Sequence, residues 1–141
     1  MTEDNQKPLY FTPDPKIGFT AERREDGGMN LIFTDITHET LGHWHKFAEE
    51  HLIGSDRLVR NLYDLRKVER LSDEAIQMAI ELNNDPSTRN IRLAAVVAND
   101  AVRSAMQKIF DNTPGGGVRM GIFEDREEAE AWLNRPIEQM V

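Results

Sequence analysis

All four histidines of the 141-residue chain fall within one stretch, THETLGHWHKFAEEH, at positions His38, His43, His45 and His51. A His-Glu pair followed by another histidine invites comparison with H-E-x-x-H, where two zinc ligands four apart project from one helix face and the glutamate serves as base. Here His38 and His43 are five apart. At about 100° per residue, the extra position turns His43 roughly 140° around the helix from His38, too far to share one ion. His38 and His45 do share a face, but their rise separates them by roughly 10 Å, against Zn–N bonds of about 2 Å. No pair among the four has a spacing of three or four. One helix cannot assemble this site, so no metal and no cofactor is expected; ligands from a loop or a second subunit would be needed to complete one. Leu41, Trp44, Ala48 and Leu52 form the apolar stripe of the same helix, and His45 and His51 flank it, each with a body for the core and a polar tip for water.

The nucleophile candidates, Ser72 and Ser104, have no histidine close in sequence, which leaves a Ser-His-Asp arrangement without support. Ser72 is accounted for as a helix N-cap. TPGGGVRM is rich in glycine but lacks the Lys and Ser/Thr of a phosphate-binding loop and precedes a strand, so Gly115 to Gly117 read as a flexible turn. Asp64, Arg66, Asn99, Asp100 and Arg103 stand out as a group. The expected topology puts them after the C-terminal ends of neighbouring strands or at the next helix start, where open α/β sheets bind ligands. Helix starts at Ser72 and Asn99 offer unpaired N–H groups to an anion, although Asp73 and Asp100 compete for the same positive field. Simple capping and salt bridging is the competing account of these residues.

These residues depend on elements legible in the apolar pattern. KIGFTAERRED, then Gly27-Gly28, then MNLIFTDIT reads as a β-hairpin, because paired glycines supply the positive φ that tight turns require. LVRNLYDL alternates imperfectly but is rich in Leu, Val and Tyr, and IRLAAVVA is a nearly unbroken apolar run of strand length, of the kind suited to central strands covered on both faces. Between them, LSDEAIQMAIELNND gives a helix capped by Ser72, with Ala75, Ile76, Ala79 and Ile80 in one stripe. NDAVRSAMQKIFDN places Val102, Ala105, Met106, Ile109 and Phe110 at helical spacing toward the sheet. A last strand, VRMGIF, leads into EDREEAEAWL, where Asp125 and Glu128 have capping-box spacing and Ala129, Trp132 and Leu133 face inward. The alternation predicts an α/β fold on the α+β border: a mixed sheet, an N-terminal hairpin followed by β-α-β-α-β-α, partly parallel through right-handed crossovers.

Composition narrows the classes. With 39% apolar and 30% charged residues the chain reads as one ordinary globular domain, with a loose arm over residues 1–15, the domain over 16–134 and a tail over 135–141. No apolar run approaches the roughly 18 residues of a membrane span. The net charge of −8 disfavours nucleic acid and anionic lipid. Charge is uneven: RLVRNLYDLRKVER carries five basic and two acidic residues, EDREEAE one basic and five acidic, read as solvated element ends. An acidic, polar start and the absence of cysteine point to a cytoplasmic protein.

NLYDLRKV, RLAAVVANDAVRSAMQKIF and VRMGIFEDREEAEAWL resemble the successive β-α elements of the SpoIIAA-like, STAS/SEC14-type domain of small bacterial proteins, over roughly Lys16 to Asn134. The resemblance implies a compact sheet with packed helices, used for binding or regulation without chemistry of its own. In anti-sigma-factor antagonists of the STAS type, a serine in an Asp-Ser-Ser-Gly-Leu motif is phosphorylated at a helix start. The comparable stretch here, ERLSDEA, places Ser72 near the matching position but lacks the second hydroxyl residue and the glycine, so phosphorylation is not assigned. On the SEC14 side, related folds carry a lipid or other apolar ligand between helices and sheet, and Met78, Met106, Met120, Phe110 and Trp132 are candidates for lining such a cavity.

The leading expectation is a non-enzymatic, STAS-like module that recognises a partner protein or small ligand at the edge formed by Asp64, Arg66, Ser72, Asn99, Asp100 and Arg103. A soluble carrier of a lipid or other small apolar ligand is the alternative, and a metal-dependent enzyme using the histidine helix a distant third. The hairpin also offers an edge through which two copies could pair as a homodimer.

Overall fold

The structure, a computed structural model, describes residues 17–49, 59–85, 91–113 and 119–135. The elements follow the expected order: β1 (Phe19–Arg23), β2 (Met29–Phe33), α1 (His38–Phe47), β3 (Val59–Asp64), α2 (Asp73–Asn83), β4 (Ile91–Val96), α3 (Asp100–Asp111), β5 (Arg119–Phe123) and α4 (Arg126–Leu133). The N-terminal arm, His51 and Leu52, Gly115 to Gly117 and residues 136–141 lie outside the described residues.

One five-stranded sheet has the order β1-β2-β3-β4-β5, with β1 antiparallel to β2 and every later pair parallel. Each new parallel strand joins on the same side of its predecessor. Crossovers of one hand then put their helices on one sheet face, and α1, α2 and α3 share the larger core with Leu31, Leu93 and Met120. The opposite face is left to α4, whose Ala129 and Leu133 pack on Leu62, Ala94 and Val96 in a smaller core.

Local rules account for the helix starts. Thr37, Ser72 and Asn99 each accept an amide of the first helical turn, from Thr40, Ala75 and Val102 respectively. Asp125 does the same for α4 but accepts the Glu127 amide, at 2.8 Å, rather than the Glu128 amide of the expected capping box. Leu41, Trp44 and Ala48 of α1 are buried as the stripe requires, and Phe47 joins them. On α3, Val102, Ala105, Met106 and Ile109 are buried, but Phe110 is 44% exposed. Phe110 stands one residue, about 100°, beyond Ile109, which carries it past the edge of the apolar stripe.

The two glycines of the hairpin have different duties. Gly27 takes the positive φ, 91°. Gly28 has no such φ but lies against β3, where an added Cβ would fall 1.6 Å from the Arg60 carbonyl oxygen. Because its core is small, α4 is also held by polar bonds. Arg60 Nε donates to the Leu133 carbonyl at 2.6 Å and Arg92 Nη1 to the Arg135 carbonyl at 2.7 Å, placing two cations at the negative end of the helix. Arg24, after β1, donates to Glu130 of α4 at 2.8 and 3.0 Å, to Asp26 and to Asn30.

Candidate functional site

The residues expected at the strand ends are where the topology puts them, but they do not converge on one ligand. Asp64, the last residue of β3, accepts Arg66 Nε at 3.0 Å, Arg66 Nη2 at 2.7 Å and the Arg66 amide at 3.1 Å. Burial opposes ionisation of Asp64, but these bonds, with the charges of Arg66 and Arg126, outweigh it and hold the carboxyl below its ordinary range. The same bonds, above all, raise Arg66. Arg103 pairs with Glu124 in the β5–α4 connection. Asn99 caps α3 and donates from Nδ2 to the Val68 and Glu69 carbonyls, tying the start of α3 to the β3–α2 connection. Ser72 serves as a cap, and Asp100 is exposed on the first turn of α3. Each of these cations thus already faces a carboxylate. The open space at this edge is a polar cleft rimmed by Arg66, Asp125, Arg126 and Glu127.

The described histidines of α1 face away from the core. His38 Nδ1 meets Glu74 Oε2 of α2 at 2.7 Å, His45 pairs with Glu49 one turn on, and His43 is exposed. Among the described residues no three His, Cys, Asp or Glu side chains are grouped as metal ligands would be.

A different site lies between α1, α2 and the sheet. Its origin is in the sequence of α2: Ala75 and Ala79, one turn apart, are too short to fill the gap opposite Leu41 and Trp44 of α1. The result is a crevice floored by Phe33, Tyr63 and Leu93 and closed at its far side by Met106, Ile109 and Met120. It holds about 50 Å³ of empty space, against roughly 150 Å³ for an apolar cavity that admits benzene. Trp44, Tyr63 and Asn83 are the lining residues that carry side-chain nitrogen or oxygen. Trp44 Nε1 donates to Tyr63 Oη at 3.1 Å, and Asn83 Nδ2 to Met120 Sδ at 3.7 Å. Burial pushes the Tyr63 phenol well above its ordinary range, against the smaller opposing pull of the Trp44 hydrogen bond, so the group is a neutral hydrogen-bonding one at physiological pH.

Of the five residues expected to line an apolar cavity, Met106 and Met120 do so. Met78 packs on the larger core without reaching the crevice, and Phe110 is turned to solvent. Trp132 belongs to the other sheet face, where it stacks on Phe123 with centroids 5.6 Å apart. Tyr63 and Asn83 escaped the sequence reading. The available signal was a phenol sharing its strand face with Val59 and Asn61, opposite a helix that carries alanines at a spacing of four.

No protein-family model and no curated protein sequence matches the chain. Among solved structures it is similar to an uncharacterised protein of the DUF3478 family with a SpoIIAA-like fold from Shewanella loihica PV-4. The two are 23% identical, with a TM-score of 0.60 over 82% of this chain and 91% of that one. The fold is SpoIIAA-like, in agreement with the mixed sheet and four helices.

Proposed function

We propose that this protein is a non-enzymatic binding module that holds a small, largely apolar molecule in the crevice between α1, α2 and the sheet. The observation that carries this reading is the crevice itself: open space walled by apolar side chains with a few neutral polar groups, the usual make-up of small-ligand sites. Its polar groups suit holding better than transforming, since neither an indole, a carboxamide nor a phenol kept neutral by burial is poised to move a proton near pH 7. At about 50 Å³ the space takes the end of a molecule or a small whole one rather than a folded lipid chain. Natively purified protein is extracted with organic solvent and the extract analysed by mass spectrometry, with NMR titration of the extracted protein by 2-methyl-1-butene. A recurrent apolar compound in the extract, or hydrocarbon-induced shifts confined to the crevice, supports the reading. An empty extract together with an unresponsive crevice refutes it.

A second reading keeps the strand-end edge as a docking surface for a partner protein, favoured by the open cleft between Arg66 and the start of α4. Affinity capture with Arg66→Ala and Arg103→Ala variants tests it, and a captured protein retained equally by both variants counts against it. Among the described residues the outer edge of β1 has no neighbouring strand, which supports pairing of two copies there. A cytoplasmic setting accords with the lack of cysteine, and no helix among the described residues is long and apolar enough to cross a membrane.

A further inference from the structure

We infer that the molecule taken up by the crevice is an uncharged compound bearing a hydrogen-bond acceptor, such as a ketone, ester or ether oxygen, and that Tyr63 donates its phenol proton to that oxygen. The inference rests on the crevice being a ligand site and adds the chemistry of the ligand.

A phenol can donate one hydrogen bond and accept others, whereas an indole nitrogen only donates. Trp44 Nε1 therefore occupies a lone pair of Tyr63 Oη, at 3.1 Å, and the phenol proton is left for another partner. Among the described residues that proton has no acceptor. The ring is also fixed in place. Its centroid lies 6.2 Å from Trp44 in an edge-on contact at 83° and 5.6 Å from Phe33 at 57°, so the hydroxyl cannot swing away without dismantling three stacked aromatics. Such edge and tilted contacts are the favoured arrangements of aromatic pairs.

The surroundings specify the rest of the ligand. Among the described residues no Lys, Arg or His lines the crevice, so a carboxylate or phosphate would lose its water without gaining a counter-charge from them. No described Asp or Glu lines it either, which gives an amine no partner among these residues. A pure hydrocarbon would match the walls but offer no acceptor to the half-buried phenol. A neutral acceptor among apolar atoms fits both conditions at once. Desolvation raises the Tyr63 pKa, which keeps the phenol a donor near neutral pH.

The test uses two probes of nearly the same shape, 2-butanone and 2-methyl-1-butene, in which a carbonyl oxygen is exchanged for a methylene. Each is titrated by NMR into the full chain and into Tyr63→Phe, which keeps the ring and loses the donor. The ketone should bind the variant about 2- to 10-fold more weakly than the unaltered protein, the range of one net hydrogen bond, while the hydrocarbon changes by less than about 2-fold. Should Tyr63→Phe fail to fold, the unaltered protein decides the matter through tyrosine labelled with ¹³C at Cζ. The chain has two tyrosines, so the Tyr63 resonance is readily assigned. It should move on adding ketone and stay in place on adding hydrocarbon. Equal binding of the ketone to both proteins, or a Cζ resonance that ignores the ketone, overturns the inference while leaving the crevice as a hydrocarbon site. Failure of both probes to bind overturns the inference and, together with an empty extract, the ligand-site reading.

Discussion

Filling the crevice should stabilise the protein, and Ala75→Val is the substitution that shows it. Ala75 lies on the third helical position of α2, is 5% exposed and faces the empty space. Valine adds two carbon atoms there, worth about 1.6 kcal/mol at ~0.8 kcal/mol per buried carbon. The space gives a similar figure: about 50 Å³ at ~24 cal/mol per Å³ corresponds to about 1.2 kcal/mol. Against this stands the lower helix propensity of valine, about 0.6 kcal/mol. The net expectation is a gain of about 0.5 to 1 kcal/mol, or a rise in Tm of roughly 2–4 °C. Urea unfolding should show a higher midpoint with an unchanged slope. The exposed Ala131→Val on α4 measures the propensity cost alone and should lose about 0.5 kcal/mol. If the crevice is also the ligand site, Ala75→Val should abolish the response to 2-methyl-1-butene. A loss of 1 kcal/mol or more would refute the reasoning, since overpacking a filled core costs about 1–3 kcal/mol and would mean that no space exists beside Ala75.

Asp35 sits between β2 and α1, where hydrogen bonds from the Thr40 hydroxyl, then from the Thr37 amide and hydroxyl, overcome a modest burial cost and lower its pKa from 3.8. A depressed carboxylate stabilises above its unfolded pKa and loses that contribution as pH falls through the folded value, so the stability difference between native protein and Asp35→Asn should be constant above about pH 5 and shrink below about pH 4 in urea melts. Gly28→Ala should cost at least about 2 kcal/mol because its methyl group would enter the Arg60 carbonyl, whereas Gly42→Ala, exposed within α1 with nothing near its Cβ position, should gain about 0.5–1 kcal/mol; similar effects for the two would contradict the close approach of β2 to β3. Glu130→Ala removes two of the bonds to the buried Arg24 and should destabilise by about 1–3 kcal/mol in thermal melts, while exposed Glu128→Ala should be neutral.

The order and type of the elements were legible because each depends on neighbours a few residues away. Ser72 and Asn99 cap the helices that follow them, the run Ile91–Val96 is buried throughout as a central strand must be, and the histidine spacing is one residue too long for a shared ion whatever surrounds it. A mixed, partly parallel sheet with right-handed crossovers followed in turn, but the strand order and the placing of α4 on the face opposite α1, α2 and α3 did not. The sequence also placed Asp64, Arg66, Asn99 and Arg103 at the strand-end edge, but not their partners. Glu124 lies across from Arg103, and Val68 and Glu69 present the carbonyls that Asn99 bonds.

The crevice could not be read in advance because empty space is a difference between side chains from separate segments. Ala75 and Ala79 are ordinary helix residues until Leu41 and Trp44 are set opposite them. Tyr63 keeps its phenol proton unspent because its partner Trp44, 19 positions earlier, is an indole that donates and cannot accept. Arg24 and Glu130 meet across 106 residues, and Gly28 is required by a strand that begins 31 residues later. Periodicity and capping energies act within a turn or a hairpin and are written in consecutive residues. Packing volume, a phenol's unspent proton and the pairing of distant charges exist only after the chain has closed on itself.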